Sequence, residues 1–222
     1  MGGQLLRLLG LLVLLVPPAI ILIYRFVPPP VTPLMLIRLA EGQGGIDKDW
    51  TPLSRISSNL QRAVMASEDA KFCSHDGFDW DAVEQNVDKL QKGKRSKGAS
   101  TISMQTAKNL FLWPDRSFVR KGIEAYLTVW LEFLLPKQRI LELYLNIAEW
   151  GPGLYGAEAA SQHYFRIPAA RVSPRQAALM AVALPSPLRS NPAKPTGYLS
   201  SRAKVIQGRM YAIPYAAGGV CK

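Results

Sequence analysis

Five side chains able to move a proton fall within a dozen residues: Glu68, Asp69, His75, Asp76 and Asp79. The run before them, Leu60 to Ser67, has helical periodicity. Leu60, Ala63, Val64 and Ser67 share one face, and Glu68 follows on it one turn after Val64. An apolar stripe that ends in a carboxylate aims an acid at the interior or at a cleft. A carboxylate removed from water has a raised pKa, which suits a general base at neutral pH. Read alone, the stretch fits a surface helix end and a polar loop more simply. Cys73 and His75 could form a thiol–base pair, but a small, partly buried cysteine is the simpler expectation.

A second set of groups lies further on. Lys108 sits on a short helical segment, followed by Arg116, Arg120 and Lys121, with Glu124 one turn after Arg120. These could be surface i,i+4 pairs worth a few tenths of a kcal/mol. The alternative is a cradle for phosphate, with Arg binding oxygens bidentately and Lys adding a point charge. Two acids, Glu68 and Glu124, flanking a basic segment are the equipment of glycosyl chemistry: one is base or acid, the other partner or stabiliser.

The elements that must position these groups are mostly helices. Helical patterns are expected over 59–72, 79–90, 101–110, 118–135, 137–150, 157–165, 174–184 and 198–210. Asp79 and Ser117 can cap two of them, and Ser173-Pro-Arg-Gln176 reads as a capping box. No alternating run is long enough to specify a sheet. The expected organisation is an anchor over 1–27, a Pro/Gly-rich linker over 28–50 and a helical domain over 51–215.

The anchor rests on an uncharged stretch from Leu8 to Tyr24, at the short end of what crosses a bilayer. No small-residue cleavage site follows it, so an uncleaved membrane helix is expected. The loop charges do not choose its orientation. The net charge of +11 points to an anionic partner. Two cysteines are too few for a disulfide-stapled domain, and two histidines without a Cys pair argue against structural zinc. Gly151-x-Gly-x-x-Gly156 is not a dinucleotide site, because a helix rather than a strand precedes it. Ser201-x-x-Lys204 lacks the motifs that accompany it in penicillin-recognising enzymes. Nucleic acid is not an expected partner.

Taken together the motifs resemble the family 51 glycosyltransferases, the peptidoglycan glycan polymerases. Glu68-Asp-x-x-Phe72-x-x-His75-x-Gly77-x-Asp79 is similar to the first signature, Gly98 to Asn109 to the second and Arg120-Lys-x-x-Glu124 to the third. Lys137 to Asn146, continuing to Tyr164-Phe165, resembles the fourth, and Ala177 to Pro192 the last. They run in family order from about Ser54 to Met210. Met104 stands where the family usually has a glutamine; Gln105 is present.

The resemblance implies a mainly α fold: a lysozyme-like catalytic lobe beside a smaller membrane-proximal jaw lobe, after one N-terminal transmembrane helix. It implies a monofunctional transglycosylase without transpeptidase, polymerising lipid II into β-1,4-linked glycan with inversion and release of undecaprenyl pyrophosphate. Glu68 would be the base and Glu124 the second acid, orienting cations or ligating a divalent ion (Mg or Mn), which the sequence itself does not require. Lys108 and Arg116 would hold the pyrophosphate, with Arg120 and Lys121 nearby. Ser100, Thr101, Gln105 and Asn109 would line the donor site, and Asp69, Phe72 and His75 would shape the cleft. The implied partners are lipid II, the growing strand, the membrane and cell-wall synthesis or division proteins. The implied location is the bacterial inner membrane, with the domain in the periplasm. The competing readings are a lytic enzyme that cleaves the same glycan and a silent cell-wall scaffold.

Overall fold

The computed structural model describes residues 2–94, 98–115, 117–216 and 219–221. Ten helices dominate it. They are α1 (Gly2–Tyr24), α2 (Pro33–Ala40), α3 (Ser58–Glu68), α4 (Trp80–Gln91) and α5 (Ile102–Phe111), then α6 (Phe118–Leu134), α7 (Lys137–Ile147), α8 (Ala157–Phe165), α9 (Pro174–Ala183) and α10 (Gly197–Arg209). Their starts follow from side-chain caps. Asp79, Thr101, Ser117 and Thr196 each accept a backbone N–H of the first turn, and Ser173 with Gln176 closes a capping box.

Two groups of helices build the core. α3 packs on α9, which packs on α10, while α5 packs between α6 and α7. Leu60, Val64, Ile102, Leu131, Ile140, Leu141 and Tyr144 are buried at these contacts. Each such aliphatic side chain contributes roughly 1.5–3 kcal/mol relative to exposure.

Helix α3 stops at Glu68, earlier than periodicity suggests, and a 3-10 turn over Phe72–Ser74 replaces its expected last turn. Helix α7 also stops early, at Ile147, because the chain turns into a small sheet. Strand β2 (Glu149–Gly151) pairs antiparallel with β3 (Leu154–Tyr155), and β1 (Asp47–Lys48) adds parallel to β3. Gly151, Gly153 and Gly156 therefore shape a hairpin and its exit. Gly156, at φ +87°, sits where an added Cβ would lie 2.9 Å from the Asn146 carbonyl oxygen.

The segment 28–50 carries structure of its own. Thr32 caps α2 and Pro33 starts it. Lys48 donates to the carbonyls of Pro29 and Pro30. Farther on, the buried Asn146 side chain donates to Thr51 O at 2.9 Å and accepts from Thr51 N at 2.7 Å. Helix α1 packs along α6: Ile21 is buried, and Tyr126 donates to Leu14 O. Arg25 reaches Leu134 O and Arg139 reaches Tyr24 O. Among the described residues no helix is long and apolar enough to cross a membrane.

The cysteines overturn their sequence reading. Cys73 and Cys221 form a disulfide across 148 residues of chain, so Cys73 is neither a free thiol nor a partner for His75. Closing so long a loop restricts the unfolded chain, by about 5 kcal/mol in the chain-entropy model. Two cysteines suffice for one long-range bridge; the expectation that only a cysteine-rich chain would be stapled was too narrow. Next to the bridge, strands β4 (Tyr215–Ala216) and β5 (Gly219–Val220) form a terminal hairpin.

Candidate active site

Helix α3 delivers Glu68 as its last residue. Gln105 Nε2 donates to Glu68 Oε2 at 3.1 Å, and Ser67 Oγ donates to Oε1 at 3.2 Å. The Tyr144 hydroxyl donates to Gln105 Oε1 at 3.0 Å, which fixes which end of the amide faces Glu68. Burial raises the pKa of Glu68, and the bonds from Gln105 and Ser67 oppose that rise without cancelling it.

The next residues build the scaffold behind Glu68. The buried Asp69 carboxylate accepts from the Ile102 amide at 2.9 Å and from His75 Nε2 at 3.0 Å. His75 Nδ1 accepts from the Gly77 amide, leaving Nε2 as the donor to Asp69. Thr101 both caps α5 and donates to Gly77 O at 2.6 Å. Gly77 cannot be replaced freely: φ is +93°, and a Cβ would lie 2.8 Å from Thr128 Cγ2. Phe72 is in the core. Asp69, Phe72 and His75 thus lock the α3 end to α5; none of them lines the cleft described next.

That cleft, about 350 Å³, is lined by Gln105, Lys108, Asn109, Arg120, Tyr144 and Glu149, with Arg38 at its side. Glu68 adjoins it through Gln105. Burial lowers the pKa of Lys108; Glu124 opposes the change, and Arg120 and Lys121 add to it. Glu124 is 2% exposed and holds two cations, Arg120 Nη1 and Lys121 Nζ, each at 2.5 Å. Lys121 also donates to Ser100 Oγ at 3.1 Å. Arg120 Nε is buried and has no acceptor among the described residues, so the guanidinium keeps a donor for an anion. Arg116 lies outside the described residues.

Met104 and Gln105 divide their tasks. Met104 is buried on the inner face of α5, and the polar contact of this motif comes from Gln105. Tyr144, Arg38 and Glu149 line the cleft and were not singled out in the sequence. Tyr144 stands in the fourth motif, at a helical spacing that marks core. Arg38 and Glu149 are 111 residues apart in sequence and meet at 3.1 Å. Burial raises the pKa of Glu149, opposed by Arg38 and Lys108.

A divalent ion does not fit Glu124 as it stands. Both its oxygens are taken by cations, and no group of three or more His, Cys, Asp or Glu among the described residues could hold a metal.

A helical domain that sets a desolvated carboxylate beside a cationic cleft is an acid–base site for an anionic substrate. The chain belongs to the transglycosylase family, whose pattern matches residues 38–211. It is 55% identical over 203 residues to the biosynthetic peptidoglycan transglycosylase of Rhodospirillum centenum, covering 91% of this chain and 87% of that protein. The protein of the same description from Caulobacter vibrioides is 50% identical over 90% of this chain and 87% of its own. The one from Agrobacterium fabrum is 48% identical over 92% and 91%.

Proposed function

We propose that the protein is a peptidoglycan glycosyltransferase that polymerises lipid II into glycan strands. The observation that carries this reading is the juxtaposition of Glu68, held by Gln105, with the cleft containing Lys108 and Arg120. Glu68 takes the proton from the 4-hydroxyl of the acceptor's GlcNAc as that oxygen attacks C1 of the donor's MurNAc. The C1–O bond to undecaprenyl pyrophosphate breaks, its electron pair leaves with the phosphate, and a β-1,4 bond forms with inversion. A positioned base contributes roughly 10²–10⁴-fold. Lys108, Arg120 and Arg116 neutralise the departing pyrophosphate, a task for preorganised cations rather than water. Glu124 sets the positions of Arg120 and Lys121, Ser100 steadies Lys121, and Asn109 completes the donor side, while the buried Thr101 holds the start of α5. In this reading the helices around Glu68 form a lysozyme-like lobe beside a smaller jaw lobe.

In this reading α1 anchors the protein in the bacterial inner membrane, with the domain over 51–215 in the periplasm beside its lipid-linked substrate. The uncharged run from Leu8 to Tyr24 supports the anchor, and the Cys73–Cys221 bridge supports an oxidising compartment. Cell-wall synthesis or division proteins are the expected neighbours. Feeding the purified protein lipid II and, separately, intact glycan strands tests the function. Polymer from lipid II is the expected result; cleavage of strands without polymerisation would overturn it in favour of a lytic enzyme.

A further inference from the structure

The terminal hairpin is attached to the chain on both sides of Glu68. Before it, the Tyr215 hydroxyl donates to Gln61 Oε1 at 3.2 Å, and the Arg62 guanidinium lies over the Tyr215 ring at 4.6 Å. Gln61 is itself buried, its amide donating to Leu53 O and Ile56 O. After it, Cys221 is bonded to Cys73 in the 3-10 turn that follows α3. Val220, opposite Tyr215 in the hairpin, is buried against the core. Lys137 fastens the other side of the same turn, donating to His75 O at 2.5 Å and lying over the Phe72 ring at 4.7 Å.

We propose that the Cys73–Cys221 bridge and Tyr215 form a positioning clamp for Glu68, so that formation of the disulfide completes the active site. Glu68 ends a helix, where backbone hydrogen bonding stops supporting the chain. Its direction depends on where the following residues go, and Asp69 to Ser74 are directed by Ile102, Lys137 and the bridge. Without the bridge the turn keeps its other ties but can shift relative to α5 and Gln105. A displacement near 1 Å is enough to cost much of a base's effect. The clamp acts on the step in which Glu68 takes the proton, and not on the cations that hold the donor.

This inference rests on Glu68 being the base, and the test separates the two. The variant Cys73→Ala/Cys221→Ala and the variant Tyr215→Phe are compared with the oxidised wild type, using lipid II over a range of pH. The bridge-free enzyme is expected to lose roughly tenfold in kcat, with KM for lipid II within about twofold. Its acidic limb is expected to move to lower pH, because a loosened Glu68 is better hydrated and its pKa falls towards the ordinary range. Tyr215→Phe should show a smaller loss of the same kind. Should the double variant fail to fold, Tyr215→Phe and the wild type reduced with a phosphine under native conditions read the same quantities. A bridge-free enzyme with unchanged kcat and unchanged pH profile, differing only in melting temperature, overturns the clamp and leaves the base in place. Polymerisation by Glu68→Gln at the wild-type rate would instead overturn the base assignment beneath it.

Discussion

Gln105 donates to Glu68 at 3.1 Å while its carbonyl oxygen accepts from Tyr144, so the amide cannot turn over without losing a bond. The bond stabilises the ionised carboxylate and aims it. Gln105→Leu keeps the volume and removes both contacts. The variant should lose roughly tenfold or more in kcat, because an unaimed base loses part of its effect. Its pH–kcat curve should show the acidic limb displaced upward, since the bond that offset burial is gone. Steady-state polymerisation assays across pH read both quantities.

Glu68→Gln should reduce polymerisation by about 10²–10⁴-fold and still fold. Stability adds a second readout. Burial raises the folded-state pKa of Glu68, so the folded state favours the protonated form. The stability this group contributes is fully present below its unfolded pKa and is lost as pH rises through the folded one. Glutamine imitates the protonated form at every pH. The variant should therefore melt higher than wild type at neutral pH, and the gap should close below about pH 4. Thermal melts at both pH values check this.

The pH–rate profile should be narrowed from both sides. Glu68 must be ionised to accept a proton, and its raised pKa moves the acidic limb above the ordinary carboxylate range. Lys108 must be protonated to hold phosphate, and burial moves its loss of charge below the ordinary lysine range. Lys108→Ala should raise KM for the donor roughly tenfold, on the scale of one charge-assisted contact. It should also remove the lysine's share of the basic limb. A basic limb identical to that of the wild type would sink the assignment.

Arg120 and Lys121 should separate by stability. Both hold Glu124, but the Arg120 side chain is 10% exposed and that of Lys121 is 42%. Arg120→Ala leaves a buried carboxylate with one partner and should cost about 3 kcal/mol. Lys121→Ala removes a partner that is itself largely in water and leaves Glu124 paired with the buried Arg120, so it should cost less than about 1 kcal/mol. Urea unfolding of the two variants, fitted with a common slope, measures the difference.

Much of this fold was legible because its helices announce their starts. Asp79, Ser117 and Ser173 sit where a side-chain oxygen must accept a helix N–H, and the structure uses all three; Thr101, read as the first residue of its helix, turns out to be a cap as well. Glu68 was legible as the end of an apolar stripe. What escaped were relationships across the chain. Strands of two or three residues carry no alternation, so β1 joining β3 left no pattern. Arg38 and Glu149 meet only after α2 has folded back over α5. The bridge joins cysteines 148 residues apart, a pairing that spacing cannot suggest. Reading 28–50 by its prolines and glycines hid α2, because Thr32 and Pro33, a cap and a helix start, also look like linker residues.

That folded segment has a mechanical consequence. Tyr24 and Arg25 are pinned to α7 and α6, Lys48 is tied back to Pro29 and Pro30, and Arg38 reaches the cleft wall. Little free rope is left between α1 and the catalytic residues. If α1 anchors the protein as proposed, a helix held at one depth would hold the cleft at one height and one tilt, as a fixed reading head is held over a tape. The growing polymer, rather than the enzyme, would have to supply the travel between one addition and the next.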